Sequence, residues 1–383
     1  MSQYPNAVNP KKRVFRFSYV PSLRRESLEK YLSELYGQPV RVVGFGELGK
    51  VVGKAEEELK GFGYGRPYVI EFEVGGERLR AVLETVKPGP FGHEHFSDRA
   101  KILLWQHEAF NKLPRHVRSI DVGAFTESGG LKSLGDCREF FILVEYVEGR
   151  EYHFDLDRIR DTGVMEPLDL ERCKALAKYL AEIHSVKLDN PGLYVRRIRE
   201  LVGHGECIMG LTDSYPEGLE YAPWSFLEEV EKMCVEWRWR LKRKTYRLSQ
   251  VHGDFHPWNV LFREGTDFTV LDRSRGEWGE PADDVTSMTI NYIFYSLQAY
   301  GRLEGPFEKL FKTFWNTYID QTGDEEMLEV VQPFYAWRGL VVASPVWYPN
   351  LPRDVRVKLF NFIKNVLRTE RFDLDGVNEL LGG

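Results

Sequence analysis

Cysteine is scarce in this chain of 383 residues. Only Cys137, Cys173, Cys207 and Cys234 occur, and no two of them form a C-x-x-C pair. That scatter supplies neither a disulfide framework nor a zinc-ribbon ligand set, and it fits thiols kept reduced in a cytoplasmic protein. No run approaches 18 uninterrupted apolar residues, so no transmembrane helix is expected. Residues 1–16 lack an apolar core followed by small residues, and no secretory signal is expected either. A dominant charge is also missing: 52 Lys+Arg stand against 58 Asp+Glu, a net charge of −6. This gives no electrostatic case for nucleic acid or an anionic membrane as partner. No internal repeat or low-complexity segment appears. The remainder is ordinary globular composition, 43% hydrophobic and 29% charged, in a chain longer than one compact core usually holds. Two domains are therefore expected.

One polar stretch carries most of the chemistry. His252-Gly253-Asp254-Phe255-His256-Pro257-Trp258-Asn259 reads H-x-D-x-x-x-x-N, and Asp272 follows at the end of residues 269–272. This is the spacing of a kinase catalytic loop and its second metal ligand. Phosphoryl transfer needs a carboxylate facing the acceptor hydroxyl, and oxygen ligands that hold Mg²⁺ on the phosphates. Asp254 fits the first role, Asn259 and Asp272 the second. Residues 260–262 and 268–271 are short apolar runs flanking a polar turn, so a β-hairpin is expected to bring Asn259 and Asp272 to one end. His252 and His256 lie four apart around Asp254, but the helical setting that H-E-x-x-H metal sites use is missing.

The stretch HGDFHPWNVLF, followed by VLDRSRGEWGEPADDV, resembles the aminoglycoside phosphotransferase and choline kinase family. That family carries H-G-D-x-H-x-x-N and then I-D-x-x-x-x-x-x-G-x-P-x-x-D, the second half appearing here as Asp272, Gly279, Pro281 and Asp284. Trp258 departs from it, standing where the family often has Gly. The resemblance is strong over residues 250–290 and weaker over 60–185. It implies an α+β, two-lobed protein-kinase-like fold, with a small β-rich N-terminal lobe and a larger, mainly helical C-terminal lobe. It also implies ATP and Mg²⁺ as cofactors and a small-molecule acceptor. Within that frame His252 orients the loop, Asp284 ties it down through backbone N–H groups, and His184 is a packed core histidine.

Coarse periodicity agrees. Residues 21–36 have helical spacing, with Ser22 as cap and Gly37 as stop. Residues 40–86 read as strands, with a hairpin signal at Gly75-Gly76-Glu77. Residues 96–113 read as a helix and 140–146 as an apolar strand. Helices are expected at 168–184, 223–246, 284–300, 306–322 and 355–368. The expected division is 1–149, a nucleotide-binding lobe, and 150–383, a catalytic and substrate lobe.

Two glycine segments compete to cover the phosphates. Gly44, Gly46 and Gly49 match G-x-G-x-x-G-x-V letter for letter. Gly61, Gly63 and Gly65 match less neatly but directly precede the strand pair, and position favours them. The strand lysine of kinases is replaced by Glu84. Lys87 is the preferred substitute; Arg80 or a metal held by Glu84 are the other readings, with Asp98 or Glu108 as the cation's helix partner. Tyr146 and Val147 occupy the position where backbone groups would recognise adenine. For the acceptor, aromatics in 333–352 (Phe334, Tyr335, Trp337, Trp347, Tyr348) either cage an ammonium or pack the core. Acidic Asp213, Glu277, Glu280 and Asp283 are candidates to meet an amine. The alternatives in function are a catalytically weak pseudokinase, motivated by Glu84, and an atypical protein kinase, which the missing A-P-E segment disfavours.

Overall fold

The structure, a computed structural model, describes residues 23–47 and 67–382. The chain divides into two compact units, Met1–Val144 and Glu145–Gly383.

In the first unit, helix α1 (Arg25–Tyr36) ends where Gly37 turns left-handed at φ 66°, a conformation that costs glycine little. Its N-cap is Arg24, without a side-chain cap bond; Ser22 lies outside the described residues. Strands β1 (Val40–Glu47), β2 (Tyr68–Val74) and β3 (Glu77–Leu83) form an antiparallel sheet in that order. Gly75 and Gly76 both have positive φ, 57° and 84°, as a two-residue hairpin turn between right-twisted strands requires. The period-2 pattern sends Ile70, Phe72 and Val74 of β2 toward Leu28 and Leu32 of α1. Helix α2 (Phe96–Phe110) opens with a capping box between His95 and Asp98. Among the described residues, strands β4 (Gly123–Phe125) and β5 (Leu131–Ser133) pair only with each other.

The strand expected over 140–146 does not form. Phe141, Ile142 and Leu143 are 91%, 85% and 89% exposed, and no described strand lies alongside to complete a ladder. An apolar run becomes a strand only beside a partner that takes its N–H and C=O groups.

The second unit is mainly helical. Strand β6 (Arg150–Glu151) leads into α3 (His153–Thr162), α4 (Pro167–His184), α5 (Pro191–Gly203), α6 (Ile208–Ser214) and α7 (Trp224–Leu241). Then come β7 (Ser249–Gln250), β8 (Val260–Phe262), β9 (Phe268–Val270) and β10 (Trp278–Gly279), followed by α8 (Ala282–Tyr300). Helices α9 (Gly305–Thr322), α10 (Gln332–Ala343), α11 (Arg353–Leu367) and α12 (Val377–Leu381) complete it. Helix α8 is buried on every face from Ala282 to Leu297, the mark of a central core helix. Helices α9, α10 and α3 pack against it, and α4 packs on α9. Helices α3, α5, α6, α10 and α12 are additions to the elements expected from periodicity. All four cysteines are free, Cys137 exposed and the other three buried. No described helix is long and apolar enough to cross a membrane.

Candidate active site

The loop 252–259 is held by its backbone. Asp284, in the first turn of α8 and fully buried, accepts the N–H of His252 and of Gly253, both at 2.7 Å. His184 Nε2 lies 3.1 Å from the same carboxylate, and its Nδ1 lies 2.9 Å from the Tyr318 hydroxyl. A chain of buried polar groups thus runs from α9 through α4 and α8 into the loop. Burial alone would raise the Asp284 carboxyl, but His184, His252 and the backbone donors outweigh it and hold the group low. Gly253 sits at φ 88°, and a Cβ there would come 3.2 Å from the Cβ of Arg275. His252 is buried, and that burial lowers its pKa. The neutral ring accepts the Asp254 N–H through Nδ1 at 3.3 Å. It shapes the loop from beneath.

The Asp254 side chain meets a partner from elsewhere in the unit. Arg338, deep in α10 and only 4% exposed, donates from Nη1 to Asp254 Oδ1 at 2.7 Å and from Nη2 to the Gly253 carbonyl at 3.1 Å. The same Nη2 donates to Asp283, the neighbour of Asp284. The guanidinium lies 3.9 Å from the centroid of the Trp337 ring, and that of Arg275 lies 4.8 Å from it. Arg275 Nε stands 3.7 Å from Asp254 Oδ1, and His256 Nε2 stands 3.6 Å from Oδ2. Burial pushes the Asp254 carboxyl up, but Arg338, His256 and Arg275 more than reverse this and hold it far below the usual carboxylate range. For Asp283 burial dominates and raises the carboxyl against the pull of Arg338, while its two carboxylate partners keep Arg338 charged. The sequence reading missed Arg338. The signal was there: a lone cation inside the apolar run 334–342 must be buried, and a buried charge needs a partner.

The loop ends in a 3₁₀ turn (Pro257–Asn259) that leads into β8, which pairs with β9. The Leu271 N–H donates to the Asn259 carbonyl at 2.8 Å, extending that ladder and placing Asn259 and Asp272 at one end of the hairpin, as expected. Asn259 Nδ2 donates to the Asp254 carbonyl at 3.1 Å, which leaves the carboxamide oxygen uncommitted. Asp272 is exposed and left-handed at φ 54°, and its Oδ1 accepts the Ser274 N–H at 3.1 Å. Among the described residues no cluster of three or more His, Cys, Asp or Glu could hold a metal. A carboxamide oxygen and one carboxylate are nevertheless the hard donors that Mg²⁺ accepts when phosphates and waters supply the rest.

The first unit is less decisive. Gly44 and Gly46 lie within β1, opposite Glu71 and Val69, with a bulge between Val42 and Gly44. Gly49, Gly61, Gly63 and Gly65 lie outside the described residues. Strand β3 ends at Leu83, ahead of Glu84, which is exposed. Lys87 is half-buried beyond that end. Arg80 is engaged by Glu71 at 3.2 Å. Asp98 accepts the His95 N–H in the α2 cap, and Glu108 pairs with Lys112 one turn on. In the second unit, Tyr146 is 89% exposed and Val147 half-buried, both outside any regular element.

The acceptor candidates are mostly engaged. Phe334, Tyr335 and Trp337 are core residues, Tyr348 packs on Phe294 at 5.0 Å, and Trp347 is 51% exposed. Glu280 is buried against Arg247 and Tyr194, while Asp213 and Glu277 are exposed. Trp258 stacks on His153, ring centroids 5.1 Å apart and planes 13° apart.

Comparison with known proteins gives three kinds of result. No curated protein sequence matches the chain. Solved structures similar to it include a glucosamine kinase in complex with glucosamine, ADP and inorganic phosphate. That match has 17% identity over 55% of this chain, spans 58% of that kinase's length, and has a TM-score of 0.38. An ethanolamine kinase from Plasmodium vivax matches at 13% identity over 88% of this chain and 80% of its own, TM-score 0.34. Amicoumacin kinase matches at 15% identity over 85% and 90%, TM-score 0.41. The third result is a family model that matches residues 72–306. That span is more than half of the chain, and it contains the Asp284-anchored loop and the hairpin carrying Asn259 and Asp272. The chain therefore belongs to the phosphotransferase enzyme family, and with it to the α+β, protein-kinase-like class.

Proposed function

We propose that the protein transfers a phosphoryl group from ATP, with Mg²⁺, to the hydroxyl of a small molecule: an amine, aminoglycoside, sugar or amino alcohol. The observation that carries this reading is the loop geometry. Asp254 has one carboxylate oxygen engaged by Arg338 and the other faced by His256 Nε2 at 3.6 Å, while Asn259 and Asp272 share one hairpin end. In this reading Asp254 Oδ2 accepts a hydrogen bond from the acceptor hydroxyl, orients it for in-line attack and takes its proton as the new bond forms. A carboxylate held so low is a weak base, which suits late proton transfer in a loose transition state. Asn259 and Asp272 would hold Mg²⁺, which neutralises charge on the phosphates when bound. His252, neutral and buried, positions the loop. Gly61, Gly63 and Gly65 would cover the phosphates, Lys87 would contact them, and the backbone at Tyr146 and Val147 would recognise adenine. The nucleotide-binding part would then comprise 1–149 and the catalytic part 150–383, in a cytoplasmic enzyme.

The test is ADP release by the full chain with ATP and Mg²⁺ over a panel of amino alcohols, amino sugars, sugars and aminoglycosides. Asp254→Asn should lower kcat by about 10²–10⁴-fold while the affinity for a non-hydrolysable ATP analogue stays unchanged. Wild-type turnover in that variant would remove Asp254 from the chemistry.

A further inference from the structure

We propose that Arg338 is a positioning residue for phosphoryl transfer. It clamps the Asp254 carboxylate in one rotamer, so that Oδ2 alone is presented to the acceptor hydroxyl. The inference rests on the reading of Asp254 given above.

Three observations converge. The guanidinium makes two bonds to the loop, one to Asp254 Oδ1 and one to the Gly253 carbonyl. A planar fork joining a side chain to the backbone of the preceding residue fixes the carboxylate in direction as well as distance. The fork is itself anchored behind, by Asp283 on one edge and by the Trp337 ring on its face. Finally, Asp283 and Asp284 are consecutive in the first turn of α8 and divide the work. Asp284 grips the backbone N–H groups of His252 and Gly253, while Asp283 grips the arginine that grips the Asp254 side chain. One helical turn thereby sets both the loop path and the rotamer of its acid.

Arg338 has Asp283 as a partner within the core, and its second carboxylate partner, Asp254, keeps some exposure, 14% of its side chain. Lysine cannot replace this function in full, because a single ammonium does not reproduce the planar geometry that spans Oδ1, the carbonyl and Asp283 together.

The experiment measures kcat, and KM for ATP and acceptor, in the full chain for Arg338→Met, Arg338→Lys and Asp283→Asn. It uses whichever acceptor in the panel the wild type phosphorylates. A misplacement near 1 Å at a reacting group costs about 10²-fold. Arg338→Met should therefore lose about that much kcat, with both KM values within about twofold of wild type. Arg338→Lys should recover part of the loss, and Asp283→Asn should fall between Arg338→Lys and wild type. Where Arg338→Met does not fold, Arg338→Lys carries the test, with lower kcat expected at unchanged KM. Wild-type kcat in Arg338→Lys, a loss confined to KM for ATP, or a folded Arg338→Met as active as Arg338→Lys would overturn the proposal. Each of these results leaves wild-type turnover, and so the reading of the enzyme itself, standing.

Discussion

At the scale of single residues, the site stores strain at one metal-ligand candidate. Asp272 is one of two described non-glycine residues with positive φ, the other being Arg115. For an L-residue the left-handed region costs roughly 1–2 kcal/mol, less for Asp when its side chain bonds locally. Asp272 has that relief, since its Oδ1 accepts the Ser274 N–H. Alanine at 272 would meet the cost without the relief, and glycine would not meet it at all. Asp272→Gly should therefore be more stable than Asp272→Ala by about 1 kcal/mol, although both lose the candidate metal ligand. Urea unfolding of the two variants measures the difference. Equal midpoints at equal slopes would mean that the backbone at 272 relaxes freely and stores no strain.

At the scale of elements, a second ionic cluster ties the approach to the loop. A 3₁₀ turn (Thr245–Arg247) precedes β7, and its Arg247 bonds Glu280, Asp324 and Glu326. Burial alone would raise Glu326, but hydrogen bonds from Lys244, Tyr246 and Arg247 overcome it and bring the carboxyl down to about 2. The sign follows from linkage. A carboxyl whose folded pKa is depressed stabilises the fold above its unfolded value, near 4.3, and loses that contribution as pH falls through the folded one. Glu326→Gln should therefore melt below wild type at pH 7, and the two melting curves should converge as pH falls from about 4.3 toward 2. A constant gap across that window, followed by circular dichroism, would show that Glu326 does not titrate this way. Legibility also belongs to this scale. Helices α4, α9 and α11 were readable because their apolar periodicity survives on a long face, and the β2–β3 and β8–β9 hairpins because turn residues separate short apolar runs. Helix α10 was not: it is buried on nearly all faces, so has no polar stripe to reveal its period, and at 12 residues it is shorter than the equally buried 19-residue α8. Arg338 was hidden with it among the aromatics. The candidate loop was legible by spacing alone, whereas its side-chain clamp depends on a contact 84 residues away in sequence.

At the scale of the whole molecule, the two units differ in what holds them together. Among the described residues, the buried apolar core of the first consists of Leu28, Leu32, Val40, Val42, Ile70, Phe72 and Val74, and α2 contributes no buried residue to it. The core of the second runs without a break from Tyr152 through α8 to Leu381. Burial supplies roughly 25 cal/mol per Å² of apolar surface, and it must exceed a backbone entropy cost of about 1–2 kcal/mol per ordered residue. A continuous core threaded by a fully buried helix, as in the second unit, can meet that cost. Residues 145–383 expressed alone should therefore give a helix-rich spectrum and one cooperative melt. The Arg338–Asp254 and Asp284–loop bonds lie wholly within 145–383, so the fragment should also keep the loop's backbone amides protected from hydrogen exchange. A fragment that melts without cooperativity would mean that the bonds from α8 and α10 do not by themselves hold the loop.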